Sequence, residues 1–137
     1  MKKFLSVLIF LSVFNSIFAQ NSNQNNSNNS KMSSAELANR KTAERCLKLA
    51  ESYVIKKQWK TAMNQAEMGL SYDPYVSDLI YIKAAALSNL NATKREVLDV
   101  IGPAFEYNTW ISLNKNDARL LYADYLSETG EFGKALD

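Results

Sequence analysis

The chain has 137 residues, room for one domain at most, with no histidine and a single cysteine. Without histidine it lacks the commonest general base, the commonest metal ligand and every His-dependent nucleophile, so catalysis, metal binding and a cofactor are not expected. Sixteen Lys and Arg face fourteen Asp and Glu, and loss of Lys2 and Lys3 with an N-terminal leader would leave fourteen of each, without the positive surplus that displaces counterions from nucleic acid.

Met1 to Lys3 form a basic head, Phe4 to Phe14 an apolar run, and Ile17-Phe18-Ala19 ends on a small residue before Gln20. This is the pattern of a secretory signal peptide over residues 1–19. An uncleaved anchor is the competing reading, but Asn15 and Ser16 interrupt the run short of the about 20 apolar residues a bilayer needs. Export to the periplasm or the medium follows, with no integral membrane segment after cleavage. Residues 20–34 (QNSNQNNSNNSKMSS) carry nothing large and apolar except Met32, so they read as a disordered Asn/Ser-rich linker.

A helical domain is expected over 35–137. Ser33 and Glu36 have capping-box spacing, which opens a first helix running to about Lys56. Cys46 lies within it and reads as a small buried apolar residue. A second helix spans Trp59 to about Leu70. Asp73-Pro74 reads as an N-cap with proline at the first helical position, which starts a third helix from about Pro74 to Leu90. Thr93 and Glu96 repeat the capping box for a fourth helix, which must kink or stop at Gly102-Pro103. Asn114 to Asp117 are a connector, a fifth helix runs to about Thr129, Gly130 permits a left-handed stop, and a sixth helix begins at Glu131.

Self-comparison exposes a repeat. Ala50-x-x-Tyr53, Trp59 and Ala62 align with Ala123-x-x-Leu126, Phe132 and Ala135, while Ala84-x-x-Leu87 falls thirty-four residues after Ala50 and thirty-nine before Ala123. With Gly69 and Pro74 in the first unit, and Tyr122 and Gly130 in the last, these residues resemble the tetratricopeptide repeat family. The middle unit departs from it at Lys83 and at Gly102-Pro103. The resemblance implies an all-α fold, a short right-handed α-solenoid of stacked antiparallel helix hairpins. Its repeats lie at about 43–76, 77–115 and an incomplete 116–137. Ala50, Tyr53, Trp59, Ala62, Pro74, Ala84, Leu87, Ala123, Phe132 and Ala135 are the expected packing positions.

In that family the first helices of successive repeats line a groove that receives a partner segment. The corresponding face carries Glu44, Leu47, Glu51, Val54 and Ile55, then Asp78, Tyr81, Ala85, Ser88 and Asn89, then Asp117, Leu120, Asp124, Ser127 and Glu128. All six charges are acidic, which suits a lysine- or arginine-bearing protein or peptide. The plainer reading is a set of solvated helix faces, with Asp78 and Asp117 complementing helix dipoles. The function expected is an exported protein-binding scaffold. The alternative is a structural subunit of an envelope assembly, self-associating through its C-terminal helices, where Phe132, Ala135 and Leu136 find no following helix to cover them.

Overall fold

The computed structural model describes residues 32–131. All their regular structure is helical: α1 (Ser34–Ile55), α2 (Trp59–Tyr72), α3 (Ser77–Asn89), α4 (Lys94–Tyr107) and α5 (Lys115–Glu128). The expected signal peptide, nearly all of the expected linker, and the expected sixth helix with Phe132 and Ala135 lie outside the described residues.

Two helices begin the same way. The Ser33 hydroxyl accepts from the Glu36 N–H at 3.2 Å while the Glu36 carboxylate accepts from the Ser33 N–H at 2.7 Å. Thr93 and Glu96 do the same for α4, at 3.3 and 2.8 Å. Each box satisfies two amides that the first helical turn would leave without partners.

Three helices also end the same way. The N–H of Gln58 reaches the carbonyl of Tyr53 at 2.9 Å, that of Ala92 reaches Leu87 at 3.0 Å, and that of Glu131 reaches Leu126 at 2.8 Å. The residue inside each closure is left-handed: Lys57 at φ 56°, Asn91 at φ 63° and Gly130 at φ 82°. This six-to-one bond is the Schellman stop. Thirty-four residues separate Lys57 from Asn91 and thirty-nine separate Asn91 from Gly130, the intervals found between the alanines. The repeat in the sequence is therefore also a repeat in backbone geometry.

Each helix packs on the next in sequence, and α1 also touches α3. The first core cluster joins Ala43, Leu47 and Ala50 of α1, Ala62 and Ala66 of α2, and Leu79 and Ile82 of α3, with Val76 just before α3. Its alanines draw the axes together. A Cβ placed on Gly69 would stand 2.6 Å from Leu79 Cδ1 and 3.0 Å from Cys46 Cβ, so a larger residue there would force Leu79 to move. The second cluster is built from Ala84, Val97 and Ile101 with Phe105, Leu121, Tyr122 and Tyr125 around them. Phe105 stacks on Tyr122 with ring centroids 5.1 Å apart.

The packing positions divide accordingly. Ala50, Ala62 and Ala84 are fully buried, and Tyr53 and Leu87 pack against the two clusters. Trp59 is partly buried and Pro74 is exposed. Ala123 is only partly buried, and Ala118 and Leu126 anchor α5 instead.

Three element boundaries differ from the sequence reading. Asp73 ends α2, its N–H bonded to Gly69 at 3.0 Å, and does not cap α3. Its carboxylate accepts from Tyr75 N–H at 3.1 Å and Arg40 Nη1 at 2.8 Å, so Pro74 and Tyr75 form a turn and α3 starts at Ser77. At Gly102-Pro103 α4 continues without stopping. Glycine has no Cβ to meet the proline ring from the preceding position, and the carbonyl that loses its amide belongs to Asp99, an exposed residue. Finally, Asn114 caps α5 by accepting from Asn116 N–H at 2.9 Å, which brings that helix forward into the expected connector.

Candidate functional site

The segment after α4 does not pass directly into α5. Asn108 ends α4 in a left-handed conformation at φ 51°, and residues 109–113 return to the start of α3. Thr109 donates its N–H to the Ser77 hydroxyl at 3.0 Å, and the same hydroxyl donates to the Ala104 carbonyl at 2.7 Å. The Thr109 side chain donates to the Tyr75 carbonyl. Asp78, with 0 % of its surface exposed, accepts from the N–H groups of Ile111 at 2.8 Å, Ser112 at 2.9 Å and Leu113 at 2.7 Å. Three amide donors converging on one carboxylate compensate the loss of its hydration. Leu113 then packs against the first core cluster, and Ser112 donates its hydroxyl to Glu51 on α1. The segment is a strap tied to α3 and reaching α1.

Beside the strap lies a groove of about 590 Å³, lined by Glu51, Val54, Ile55, Trp59, Tyr81, Ile82, Ala85, Ser88, Asn89, Ser112, Leu113 and Leu121. α1 and α3 form its sides, the strap closes part of it, and Leu121 comes from α5. Most of the lining is apolar or aromatic, with Ser88, Asn89, Ser112 and Glu51 as polar points. Tyr81 packs toward Trp110, ring centroids 6.5 Å apart, and Trp110 toward Phe105 at 6.0 Å. Burial, and then the negative charge of Asp117, push the Tyr81 phenol above its ordinary value, so it stays a neutral hydrogen-bonding group at neutral pH. Ser88 and Tyr125 hydrogen-bond across α3 and α5. A smaller hollow of about 290 Å³ lies near Met32, Arg40, Asp73 and Tyr75, where the Arg40–Asp73 ion pair is part of the wall.

The residues expected to face a partner are distributed unevenly. Glu51, Val54 and Tyr81 line the groove, together with Ile55, Ala85, Ser88 and Asn89 from the same expected face. Leu47 and Asp78 do not face solvent: Leu47 lies in the first core, and Asp78 is buried beneath the strap. Leu120 is 66 % exposed but outside the groove, as are the exposed Asp117 and Asp124. Glu44 pairs with Arg40 at 3.7 Å and Glu128 with Lys94 at 2.6 Å. The expected continuous acidic face is thereby reduced to one groove carboxylate, Glu51. Ser112, Leu113, Leu121, Trp59 and Ile82 were not anticipated as lining. The signal for the first two was the five extra residues between the second and third units, because an insertion in a repeat must lie on one of its faces.

Among the described residues no group of three or more acidic or cysteine side chains is placed to hold a metal ion. No described helix is long and apolar enough to cross a membrane.

No known protein family matches the chain by sequence, and no solved structure matches it. It is similar to an uncharacterized protein of Treponema pallidum (strain Nichols), 27 % identical over 90 residues. Those residues are 65 % of this chain and 11 % of that protein, so the similarity spans about a tenth of the relative's length.

Proposed function

We propose that this protein is an exported interaction scaffold that binds a segment of another protein in the groove between α1 and α3, and that it carries out no reaction. The observation behind this reading is the groove itself: a 590 Å³ concavity, within the range typical of specific sites, with a largely apolar wall and a few polar points to orient an occupant. A tetratricopeptide-like stack is the architecture we infer. Sequential helix packing, the α1–α3 contact and the three matching helix stops support it. In such a stack the first helices of successive hairpins form the concave side, and α1 and α3 hold those positions. The leader-like pattern of residues 1–19 supports export, and the absence of histidine from the sequence argues against hydrolytic chemistry.

The test uses the full chain immobilised in an envelope extract, with the captured protein identified by mass spectrometry. Ala85→Trp fills the groove and should abolish capture of that protein. Asn64→Trp, on the exposed side of α2, should leave it intact. Equal capture by both variants would place binding elsewhere.

A further inference from the structure

We infer that the groove selects a segment bearing a lysine or arginine, and that Glu51 is the residue that sets this preference; the inference rests on the groove being the binding site. Glu51 is the one charged side chain on the groove lining. Of the other acids of the expected binding face, Asp78 holds three strap amides, Glu44 pairs with Arg40 and Glu128 with Lys94, while Asp117 and Asp124 lie outside the groove. Glu51 forms no ion pair with any described residue, and its polar contact is the hydroxyl of Ser112. That hydroxyl belongs to a strap fixed by Asp78, so it holds the carboxylate at the strap side of the groove.

A partly buried carboxylate beside apolar walls attracts a cation more strongly than one in open water, because the effective dielectric constant there is lower. The cation that suits this wall has an apolar stem. Lysine and arginine can lay their methylenes along Val54, Tyr81 and Leu121 and bring the charged head to Glu51. An acidic residue at the same place would be repelled by the carboxylate, and an uncharged polar one could offer it a hydrogen bond but no charge.

Three six-carbon probes separate charge from apolar fit: hexylammonium, hexan-1-ol and hexanoate, titrated into the full chain and followed by amide NMR shifts of groove residues. Hexylammonium should bind about three- to fivefold more tightly than hexan-1-ol, the range of a partly exposed ion pair, and hexanoate more weakly than either. Glu51→Gln should remove the hexylammonium advantage, and amide shifts of the unliganded variant that match the parent away from residue 51 show that the groove is intact. Salt at about 0.5 M should shrink the same advantage in the parent protein. Equal affinities in the parent, or a preference that survives Glu51→Gln, would overturn the role of Glu51 while leaving the groove as a binding site. No groove shifts with any probe would overturn both.

Discussion

The hairpins α1–α2 and α3–α4 share their closure and differ in their interiors. Both turn through a left-handed residue, Lys57 or Asn91, with the same six-to-one bond. The first is sealed by alanines and by Gly69 at close approach to Leu79 and Cys46. The second is filled by Val97, Ile101 and Phe105 and continues into the strap, which returns to α3 and supplies part of the groove wall. The regular seam sets the helices in place, and the departure from the repeat shapes the concavity between them. The two interiors therefore differ in how tightly they are filled, and substitutions should separate them.

The largest effect should come from overfilling the first seam. Ala62→Leu, at a fully buried site, should cost about 3 kcal/mol in urea unfolding, whereas Val100→Leu beside the second cluster should cost under about 1 kcal/mol. Equal losses would erase the distinction between the interiors. Next is Asp78→Ala, which strips the acceptor from three strap amides. It should cost about 2–3 kcal/mol and speed amide exchange at 111–113, while Asp78→Asn, which keeps one acceptor oxygen, should lose less. Unchanged exchange at those amides would mean that the strap is held by Leu113 packing and the Thr109 and Ser112 side-chain contacts without Asp78.

Pro103→Ala should stabilise the second hairpin by about 1–2 kcal/mol, since it restores an amide donor inside α4 and removes a ring clash. A lower melting temperature would instead give the proline ring a packing role. The closures provide a smaller, paired test. Lys57→Gly should gain about 0.5–1 kcal/mol by relieving a left-handed lysine, and Gly130→Ala should lose about as much at the corresponding position.

The smallest effect is on pH. Hydrogen bonds from the Ser33 backbone N–H and then its hydroxyl hold Glu36 below the ordinary carboxylate value, and the Thr93 hydroxyl and then its N–H do the same for Glu96. Both groups bind protons less readily folded than unfolded. Their contribution is therefore complete above the unfolded value of about 4.3 and is lost as pH falls through the lower folded values. Acid titration by circular dichroism should show the starts of α1 and α4 fraying in that window, and Glu36→Gln with Glu96→Gln should flatten the response.

Much of this architecture was legible because it is local. The two capping boxes and Gly130 each depend on residues a few positions apart, and each appears in the structure as the spacing implied, whereas of the repeated alanines Ala50, Ala62 and Ala84 are buried and Ala123 only partly so. Asp78 was misread because an acid at a helix start ordinarily complements the dipole in water. Its actual partners lie thirty-three to thirty-five residues away. The return of the strap depends on those long-range bonds and on Leu113, which no periodicity marks. Of the two outcomes expected at Gly102-Pro103, a kink or a stop, the stop does not occur: α4 runs through the proline, preceded by a glycine with no Cβ to meet the ring.

The direct test of the central claim, that a partner lies between α1 and α3, is site-specific photocrosslinking in producing cells. A photoreactive residue replacing Asn89, on the groove, should yield a defined adduct with one protein. The same residue replacing Thr61, on the exposed side of α2, should not. An adduct of equal yield from both positions, or from Thr61 alone, would contradict the account.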